Sequence, residues 1–286
     1  MNSQTNNKLI LHRPSRSLKR TALSVASSGT GSEKSATAQP SHLSSHAPTP
    51  TPLYSISPSN LYDNKNASGL CSRVNIVGNT ILKPRCVLKL AAFNVRTLLQ
   101  PGQQAALART IDSLSIDICC VSETRIQDPS NITMLTAPDL SRKFFLRTSG
   151  DAEARAAGKY GVGIVLNNRA QAALLDWIPV SSRLCAVRLQ GSIKVNKKNS
   201  RKRCLFVISA YAPTNCSSDS SKDEFYDQLF TSIQSAKSSD IVVLAGDLNA
   251  QVGKLSSTES FLGGSFALPA QRTDNGDRLL QLCATH

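Results

Sequence analysis

The feature that most constrains the fold is an alternation of short apolar runs with helical periods, which begins after Ile81. The runs have the length of a β-strand, and each ends in polar residues. The strands predicted from them are 87–93, 116–121, 160–166, 184–189, 205–212 and 241–245. The run at 116–121 is almost continuously apolar, which predicts a strand buried on both faces. Strands that alternate with helices predict an α/β protein.

Two helices are predicted between these strands, because apolar residues recur there every three or four positions. The stripe of the first helix, which follows a Pro-Gly turn, comprises Leu107, Ala108, Ile111 and Leu114. The stripe of the second comprises Phe225, Leu229 and Ile233, with Tyr226 and Phe230 beside it. Each helix therefore has one apolar face that can pack on a sheet.

Residues 1–82 differ in composition from the rest of the chain and predict a disordered tail. They are rich in Ser, Thr, Asn and Pro, and the Pro-Thr repeat at 46–52 cannot sustain a helix or a central strand. Eight Lys and Arg against two acids give the tail a net charge of +6, out of +14 for the chain. Such a start is typical of a solvated basic arm or of a mitochondrial transit peptide. Residues 83–286 are predicted to form one partial domain.

Several classes of protein are excluded by composition. No apolar run approaches the roughly 18 residues that span a bilayer, and residues 1–10 lack the apolar core of a secretory signal. The eight cysteines include no C-x-x-C pair, so no zinc site is expected. The sequence predicts an intracellular monomer with no membrane partner, located in the nucleus, with mitochondrial targeting as the alternative.

A cluster of basic residues without any acid lies between two predicted strands. It comprises Lys194, Lys197, Lys198, Arg201, Lys202 and Arg203. The cluster is explained equally well by a solvated hairpin loop and by a patch that contacts phosphate or directs nuclear import. Together with the basic tail, it predicts an affinity for nucleic acid that falls steeply with salt.

Four polar residues stand where predicted strands end: Asn94, Glu123, Asp247 and Asn249. Singly, each is explained by a turn or by a solvated side chain. Together they supply the hard oxygen ligands and amide groups that a Mg²⁺-dependent phosphoryl site requires. Glu123 as metal ligand and Asp247 as water-orienting base are sufficient in outline. The hydroxyl of Tyr211, at another strand end, can add a hydrogen bond to phosphate.

Five segments carry these residues along the chain. They are 92–98 (AFNVRTL), 122–125 (SETR), 160–163 (YGVG), 211–214 (YAPT) and 246–253 (GDLNAQVG). In order and spacing they resemble the successive motifs of the endonuclease/exonuclease/phosphatase family. Within that family the resemblance is to the apurinic-endonuclease-like domain of non-LTR retrotransposons. A single one of these motifs is weak, but five in order indicate the family.

The resemblance implies a four-layer αββα sandwich, in which two mixed sheets face each other between helices, with the active site at one rim. It implies that Glu123 binds the divalent metal, Mg²⁺ or Mn²⁺, and that Asn94 helps to hold the metal and the phosphate. Asp247 is expected to orient or activate the attacking water. Asn249 and Tyr211 are expected to hydrogen-bond the scissile phosphate.

The function implied is that of a DNA endonuclease of retroelement type, which hydrolyses the phosphodiester backbone. Nucleic-acid contacts are predicted at the following basic residues: Arg96, Arg125, Lys197, Lys198, Arg201, Lys202 and Arg203. The alternatives are a catalytically inactive nucleic-acid-binding remnant and a phosphatase that acts on a small phosphorylated lipid or sugar.

The family pattern also includes a later strand that ends in Asp and a final Ser-Asp-His motif. The sequence ends at His286 before either motif appears, and His286 itself is not expected to be catalytic. The sandwich is therefore expected to be incomplete at its C-terminus, with weak or absent activity, since loss of one preorganised donor costs about 10²–10³ in rate.

Overall fold

The computed structural model describes residues 80–82, 87–128, 132–151, 160–191, 203–263 and 269–286, which contain nine strands and four helices. In chain order the elements are β1 (Leu90–Asn94), α1 (Pro101–Ser113), β2 (Ile118–Ser122), β3 (Ile132–Leu135), β4 (Phe144–Ser149), β5 (Val162–Asn167), α2 (Asn168–Ala172), β6 (Leu174–Ser181), β7 (Leu184–Leu189), β8 (Leu205–Tyr211), α3 (Asp219–Gln234), β9 (Ile241–Asp247) and α4 (Asp274–Ala284). No helix among these residues is long and apolar enough to cross a bilayer.

The strands form two mixed sheets. The first sheet has the order β1-β2-β5-β4-β3 and the second the order β6-β7-β8-β9. The pairs β1–β2 and β8–β9 are parallel, and all other pairs are antiparallel. The strand β2, buried throughout as the sequence predicts, lies inside the first sheet.

Three apolar clusters hold the helices and the two sheets together in layers. One cluster fills the space between the sheets and includes Ile118, Ile164, Val187 and Val207. The second joins α1 to the outer face of the first sheet, and the third joins α3 and α4 to the outer face of the second sheet. Alternate residues of a strand point to opposite faces of its sheet. Each sheet therefore contributes side chains both to the cluster between the sheets and to the cluster on its outer face. The predicted four-layer αββα sandwich is thereby confirmed.

The strand directions bring several chain segments to one rim of the sandwich. In the parallel pair β1–β2, Asn94 lies beside Ser122, and in the parallel pair β8–β9, Tyr211 lies beside Asp247. The strand β5 is antiparallel to β2, so it begins at the same rim, with Val162 opposite Ser122. The carboxyl ends of β1, β2, β8 and β9 and the start of β5 therefore meet there.

Three strands escape the sequence pattern: β3, β4 and β6. The strands β3 and β6 form sheet edges and remain largely exposed, so they lack long apolar runs. The strand β6 also contains register irregularities that break its alternation. The predicted α1 stripe is wrong at Leu114, which caps the helix rather than belonging to it and is 42% exposed.

The packed region begins before residue 83, the predicted domain start. The side chain of Ile81 is 1% exposed and belongs to the cluster between the sheets. Its N–H donates to the carbonyl of Gln190 at 2.8 Å, and Leu82 forms a bridge to Gly191. Ile81 and Leu82 therefore pair with the residues that directly follow β7. The rest of the predicted tail, residues 1–79, lies outside the described residues.

Candidate active site

The two carboxylates predicted to do the chemistry share one amide group at the rim. The Nδ2 of Asn94 donates to Oε1 of Glu123 at 2.5 Å and to Oδ2 of Asp247 at 3.3 Å. The Oδ1 of Asn94 accepts from the backbone N–H of Arg96 at 3.1 Å, which fixes the orientation of the amide. Glu123 follows a strand of the first sheet and Asp247 ends a strand of the second. Asn94 therefore holds together acids from both sheets.

Tyr211 forms a second link between the sheets. Its hydroxyl donates to Oε1 of Glu123 at 3.0 Å. Burial, followed by the neighbouring charge of Glu123, raises the pKa of the Tyr211 hydroxyl well above its usual value. The hydroxyl therefore stays protonated and remains a donor at neutral pH.

Asp247 and Asn249 are fixed by the loop that follows β9. The backbone N–H of Asn249 donates to Oδ1 of Asp247 at 3.1 Å, and Nδ2 of Asn249 donates to the carbonyl of Ala212 at 2.8 Å. The buried Asn275, at the start of α4, donates to the carbonyls of Pro213 and Asn249 at 2.8 and 3.1 Å. Asn275 thus braces the loops that carry Tyr211 and Asn249.

Left-handed backbone is concentrated at this rim. Six residues other than glycine have positive φ among those described, and five of them belong to the rim: Arg96, Glu123, Arg125, Tyr160 and Asn249. This conformation is unfavourable for side chains with a Cβ and tends to cluster at functional sites. Its concentration supports a functional role for this rim.

Gly161 shows why the rim is closely packed. It has φ of +94°, and an added Cβ would lie 2.6 Å from Oγ1 of Thr124. Its carbonyl accepts from the N–H of Thr124, and its own N–H donates to the carbonyl of Ser182, both at 3.0 Å. A glycine is therefore required for the Tyr160 loop to contact both the Glu123 loop and the hairpin before β7.

The sequence did not identify Arg183, which lies at the rim just before β7. Its guanidinium carbon lies 3.9 Å from the centroid of the Tyr160 ring and 5.3 Å from that of the Tyr211 ring. Its Nη1 donates to the carbonyl of Tyr211 at 3.2 Å. An arginine before a predicted strand carries no local signal for this position, because the pairing of β7 with β8 creates the contact.

The predicted nucleic-acid contacts do not all reach the rim. Arg96 and Arg125 are exposed beside the acidic pair. Arg203 is exposed at the opposite end of β8, and eight residues of extended chain place it roughly 25 Å from Tyr211. The other predicted contacts, Lys197, Lys198, Arg201 and Lys202, lie outside the described residues, as does Lys194 of the same cluster.

Comparison with known proteins identifies the family. A model of the Endonuclease/Exonuclease/phosphatase family matches residues 91–268, a range that includes the whole acidic pair and its partners. The chain belongs to the endonuclease/exonuclease/phosphatase family. The family name joins enzymes that hydrolyse phosphate esters, and endonuclease/exonuclease/phosphatase enzymes generally use a divalent metal.

Two curated relatives are similar over most of this chain. Craniofacial development protein 2 from Bos taurus is 26% identical over 215 residues, which are 74% of this chain and 32% of that protein. The same protein from Tragulus javanicus is 25% identical over 194 residues, which are 68% of this chain and 30% of that protein. The chain therefore spans about a third of the length of these relatives.

Solved structures of AP endonucleases are also similar to this chain. The enzyme from Archaeoglobus fulgidus is 15% identical with a TM-score of 0.42, and the match covers 70% of each chain. The AP endonuclease LMAP from Leishmania major is 12% identical with a TM-score of 0.42, and the match covers 68% of this chain and 63% of that one.

The donor set at the rim fits a divalent cation. Glu123 and Asp247 place two carboxylates on the same amide group, and within the described residues no Lys or Arg forms an ion pair with either of them. Two carboxylates brought together in this way repel each other, and a bound cation would offset that repulsion. Mg²⁺ typically takes one or two carboxylates and completes its shell with water and substrate oxygens.

Proposed function

We propose that this chain is a divalent-metal-dependent phosphodiesterase that cleaves the DNA backbone, as an endonuclease of retroelement type. The observation that carries the proposal is the pair Glu123 and Asp247, joined through Asn94 across the two sheets. Family membership supports hydrolysis of a phosphate ester, and the motif resemblance supports the retroelement branch.

Each residue has its own role in the proposed hydrolysis. Glu123 would hold the metal ion, Mg²⁺ or Mn²⁺, with Asn94 supporting the metal and phosphate cluster. The metal, when bound, would supply Lewis-acid stabilisation of a phosphoryl oxygen. The Oδ1 of Asp247 accepts from the backbone N–H of Asn249 at 3.1 Å. Within the described residues, the Oδ2 of Asp247 accepts only the longer, 3.3 Å bond from Asn94, so it is the oxygen less tightly held by the protein. That oxygen would orient the attacking water and accept its proton as the P–O ester bond breaks.

Two further donors are available for the scissile phosphate. One N–H of the Asn249 amide bonds Ala212, so its second N–H remains for a phosphate oxygen. The hydroxyl of Tyr211 has one proton and gives it to Glu123. Once Glu123 has engaged the metal, the O–H bond would rotate about the Cζ–O bond toward the phosphate, while the Tyr211 ring stays in place. Both donors are placed before substrate arrives, which is the condition for electrostatic stabilisation of the transition state.

Charge supports a nucleic-acid substrate. The chain carries a net charge of +14, and Arg96 and Arg125 are exposed next to the acidic pair. Basic side chains beside a phosphoryl site can neutralise phosphates that flank the scissile bond. We therefore place a DNA substrate ahead of a small phosphorylated lipid or sugar.

An inactive nucleic-acid-binding remnant is the second candidate function. In the described ranges the single histidine is His286, whose ring packs on Phe230 of α3 and whose Nδ1 lies 3.1 Å from the carbonyl of Leu282. The described rim therefore has no histidine donor, and such a donor commonly contributes about 10²–10³ in rate. This observation favours slow turnover over the ordinary rate of a nuclease.

Nicking of supercoiled plasmid by the purified chain tests the proposal. We expect nicking with Mg²⁺ or Mn²⁺ and none with EDTA. Glu123→Gln and Asp247→Asn keep side-chain size and remove charge, and each is expected to lower the rate at least about 100-fold. The matched control is Glu224→Gln, which removes an exposed acid from α3 and is expected to leave the rate unchanged.

The outcomes separate the two candidate functions. Metal-dependent nicking that is lost in both rim variants and kept in the control supports the nuclease. Plasmid that is retained but not cut, with retention that survives EDTA and falls with salt, supports the binding remnant and contradicts the nuclease. Nicking that persists unchanged in Glu123→Gln would contradict the role of Glu123 as metal ligand.

A further inference from the structure

Tyr160, Arg183 and Tyr211 form a stack at the rim, which we name the tyrosine-arginine stack. The two ring centroids are 6.3 Å apart with planes inclined by 49°, and the guanidinium of Arg183 lies within cation–π distance of both rings. The stack draws its members from three segments that are distant in sequence: the loop before β5, the hairpin before β7 and the end of β8.

The stack is anchored to the backbone on the side of Tyr211. The N–H of Tyr211 donates to the carbonyl of Arg183 at 2.9 Å, and Nη1 of Arg183 donates back to the carbonyl of Tyr211 at 3.2 Å. These two bonds fix the guanidinium relative to the Tyr211 backbone. The Tyr211 ring then has little freedom to move away from Glu123, although its hydroxyl proton can still rotate about the Cζ–O bond.

On the other side, the stack is anchored to the loop that carries Glu123. Tyr160 has φ of +69°, and its carbonyl accepts from the N–H of Arg125 at 2.9 Å. Gly161 accepts from the N–H of Thr124 at 3.0 Å. Tyr160 and Gly161 are therefore hydrogen-bonded to the two residues that follow Glu123. The Tyr160 ring in turn contacts the Arg183 guanidinium.

The charge of Arg183 has no acidic partner within the described residues, although its side chain is half-buried. A partly buried guanidinium usually pairs with a carboxylate, since its desolvation is costly. Here two aromatic faces and one carbonyl take that place. The arrangement holds the two rings in a defined relation.

We propose that Arg183 is a positioning residue, which holds the Tyr211 ring against Tyr160 so that the Tyr211 hydroxyl oxygen stays beside Glu123 across the gap between the sheets. The inference rests on the proposed function and deepens it. It names Arg183 as the residue that keeps Tyr211 in position beside Glu123, where Glu123 would bind the metal and Tyr211 would contact the phosphate. Arg183 acts through Tyr211 and does not contact the reacting atoms.

A double-mutant cycle on nicking kinetics tests the proposal. Arg183→Gln and Tyr211→Phe are each expected to lower kcat about 10- to 100-fold, with KM for plasmid within about twofold of the wild type. Because Arg183 acts through the Tyr211 hydroxyl, the double variant is expected to be no slower than the slower single variant. A raised KM at unchanged kcat, or multiplied losses in the double variant, would overturn the proposal in favour of a direct phosphate contact.

A spectroscopic test is independent of turnover. The chain has five tyrosines, and labelling with ¹³C at Cζ gives each a resonance that a Tyr→Phe change assigns. Glu123→Gln is expected to shift the Tyr211 resonance in the wild-type background and to leave it unshifted in the Arg183→Gln background. An equal shift in both backgrounds would show that Tyr211 reaches Glu123 without Arg183, and the proposal would fail.

Controls separate this inference from folding and from the proposed function. Arg109→Gln removes an exposed arginine from α1 and is expected to leave both kcat and the Tyr211 resonance unchanged. If Arg183→Gln does not fold, Arg183→Lys gives the same two readouts, because lysine keeps the charge but lacks the planar fork. If the wild type does not nick DNA, the proposed function has failed, and the Tyr211 resonance alone still decides the inference.

Discussion

At the scale of single residues, the site depends on backbone conformations that cost free energy. Glu123 and Asn249 have φ of +59° and +44°, and each lies immediately or shortly after a strand. Left-handed backbone costs roughly 1 kcal/mol or more for such a residue. The surrounding hydrogen bonds offset that cost, for example those of Asn94 to Glu123 and of Asn249 to Ala212. The polar side chains are therefore oriented before substrate binds.

Salt dependence tests the two exposed arginines at the rim. We expect Arg96→Ala and Arg125→Ala each to weaken DNA binding and to reduce the slope of log affinity against log salt by about 1, as expected for loss of one phosphate contact. Arg109→Ala, on the exposed face of α1, is the matched control and is expected to keep the wild-type slope. Binding isotherms at several salt concentrations check this. An unchanged slope in both rim variants would remove these arginines from the DNA interface.

At the scale of elements, α4 holds the site loops in place although it carries none of the proposed catalytic groups. Its second residue, Asn275, is fully buried and bonds the carbonyls of Pro213 and Asn249. The hydroxyl of Tyr226, on α3, donates to the backbone carbonyl of Asn275 at 2.9 Å. The start of α4 therefore connects α3 with the loops after β8 and β9.

Asn275→Ala is expected to lower the free energy of unfolding by about 2–4 kcal/mol, because two buried carbonyls lose their donor. Nicking should fall as well, since the Asn249 loop loses its support. Asn168→Ala, on an exposed position of α2, is expected to change stability by less than about 0.5 kcal/mol. Urea unfolding followed by circular dichroism measures both. A cost below about 1 kcal/mol for Asn275→Ala would show that water replaces the amide.

The loop between β9 and α4 should respond to acid. Arg272 donates to both carboxylate oxygens of Glu259, at 2.7 and 2.9 Å. The Arg272 guanidinium, and then the N–H and hydroxyl of Ser256, lower the pKa of Glu259 from 4.5 to about 2. A carboxyl whose pKa is depressed in the folded state stabilises the fold above pH 4.5, and this contribution is lost as the pH falls toward 2.

Glu259→Gln is therefore expected to destabilise the protein at pH 6, with a deficit that shrinks as the pH falls from 4.5 to about 2. Arg272→Met removes the other partner and is expected to flatten the same part of the stability curve. Denaturant midpoints measured across this pH range provide the check. A deficit that stays constant with pH would mean that Glu259 contributes packing rather than charge.

At the scale of the whole molecule, the site exists because two sheets pack against each other. Glu123 directly follows β2 of the first sheet, whereas Tyr211 and Asp247 end strands of the second. The apolar cluster between the sheets brings them within hydrogen-bond distance. Loosening this core would separate the carboxylate pair without touching either carboxylate.

Removal of residues 1–77 tests the predicted division of the chain. These residues carry a net charge of +6, and Ile81 is the first described residue that packs into the sandwich core. We expect the melting temperature to stay within about 2 °C of the full chain, and DNA affinity to fall with a shallower salt slope. Thermal melts and binding isotherms measure both. A large loss of thermal stability would place part of the folded core before Gly78.

The sequence was sufficient to predict the apolar, buried strands and to select the candidate residues. Long apolar runs such as 205–212 and 241–245 identify β8 and β9, because strands that are buried on both faces need apolar side chains on both faces. Edge strands such as β3 and β6 are exposed and carry no such run, so the pattern does not show them. Asn94, Glu123 and Asp247 could be selected from the sequence because they are polar residues just after apolar runs, at the ends of predicted strands.

By itself, the sequence determined the α/β class, the family and the chemical identity of the acidic pair, since these depend on residue type and spacing. The tertiary structure alone decided which groups touch. The sharing of Asn94 by two carboxylates, the clamp of Arg183 between Tyr160 and Tyr211, and the position of Arg203 away from the rim all follow from strand pairing and sheet packing. These contacts join residues that are far apart in the chain. The local sequence around one residue does not predict its distance from the other.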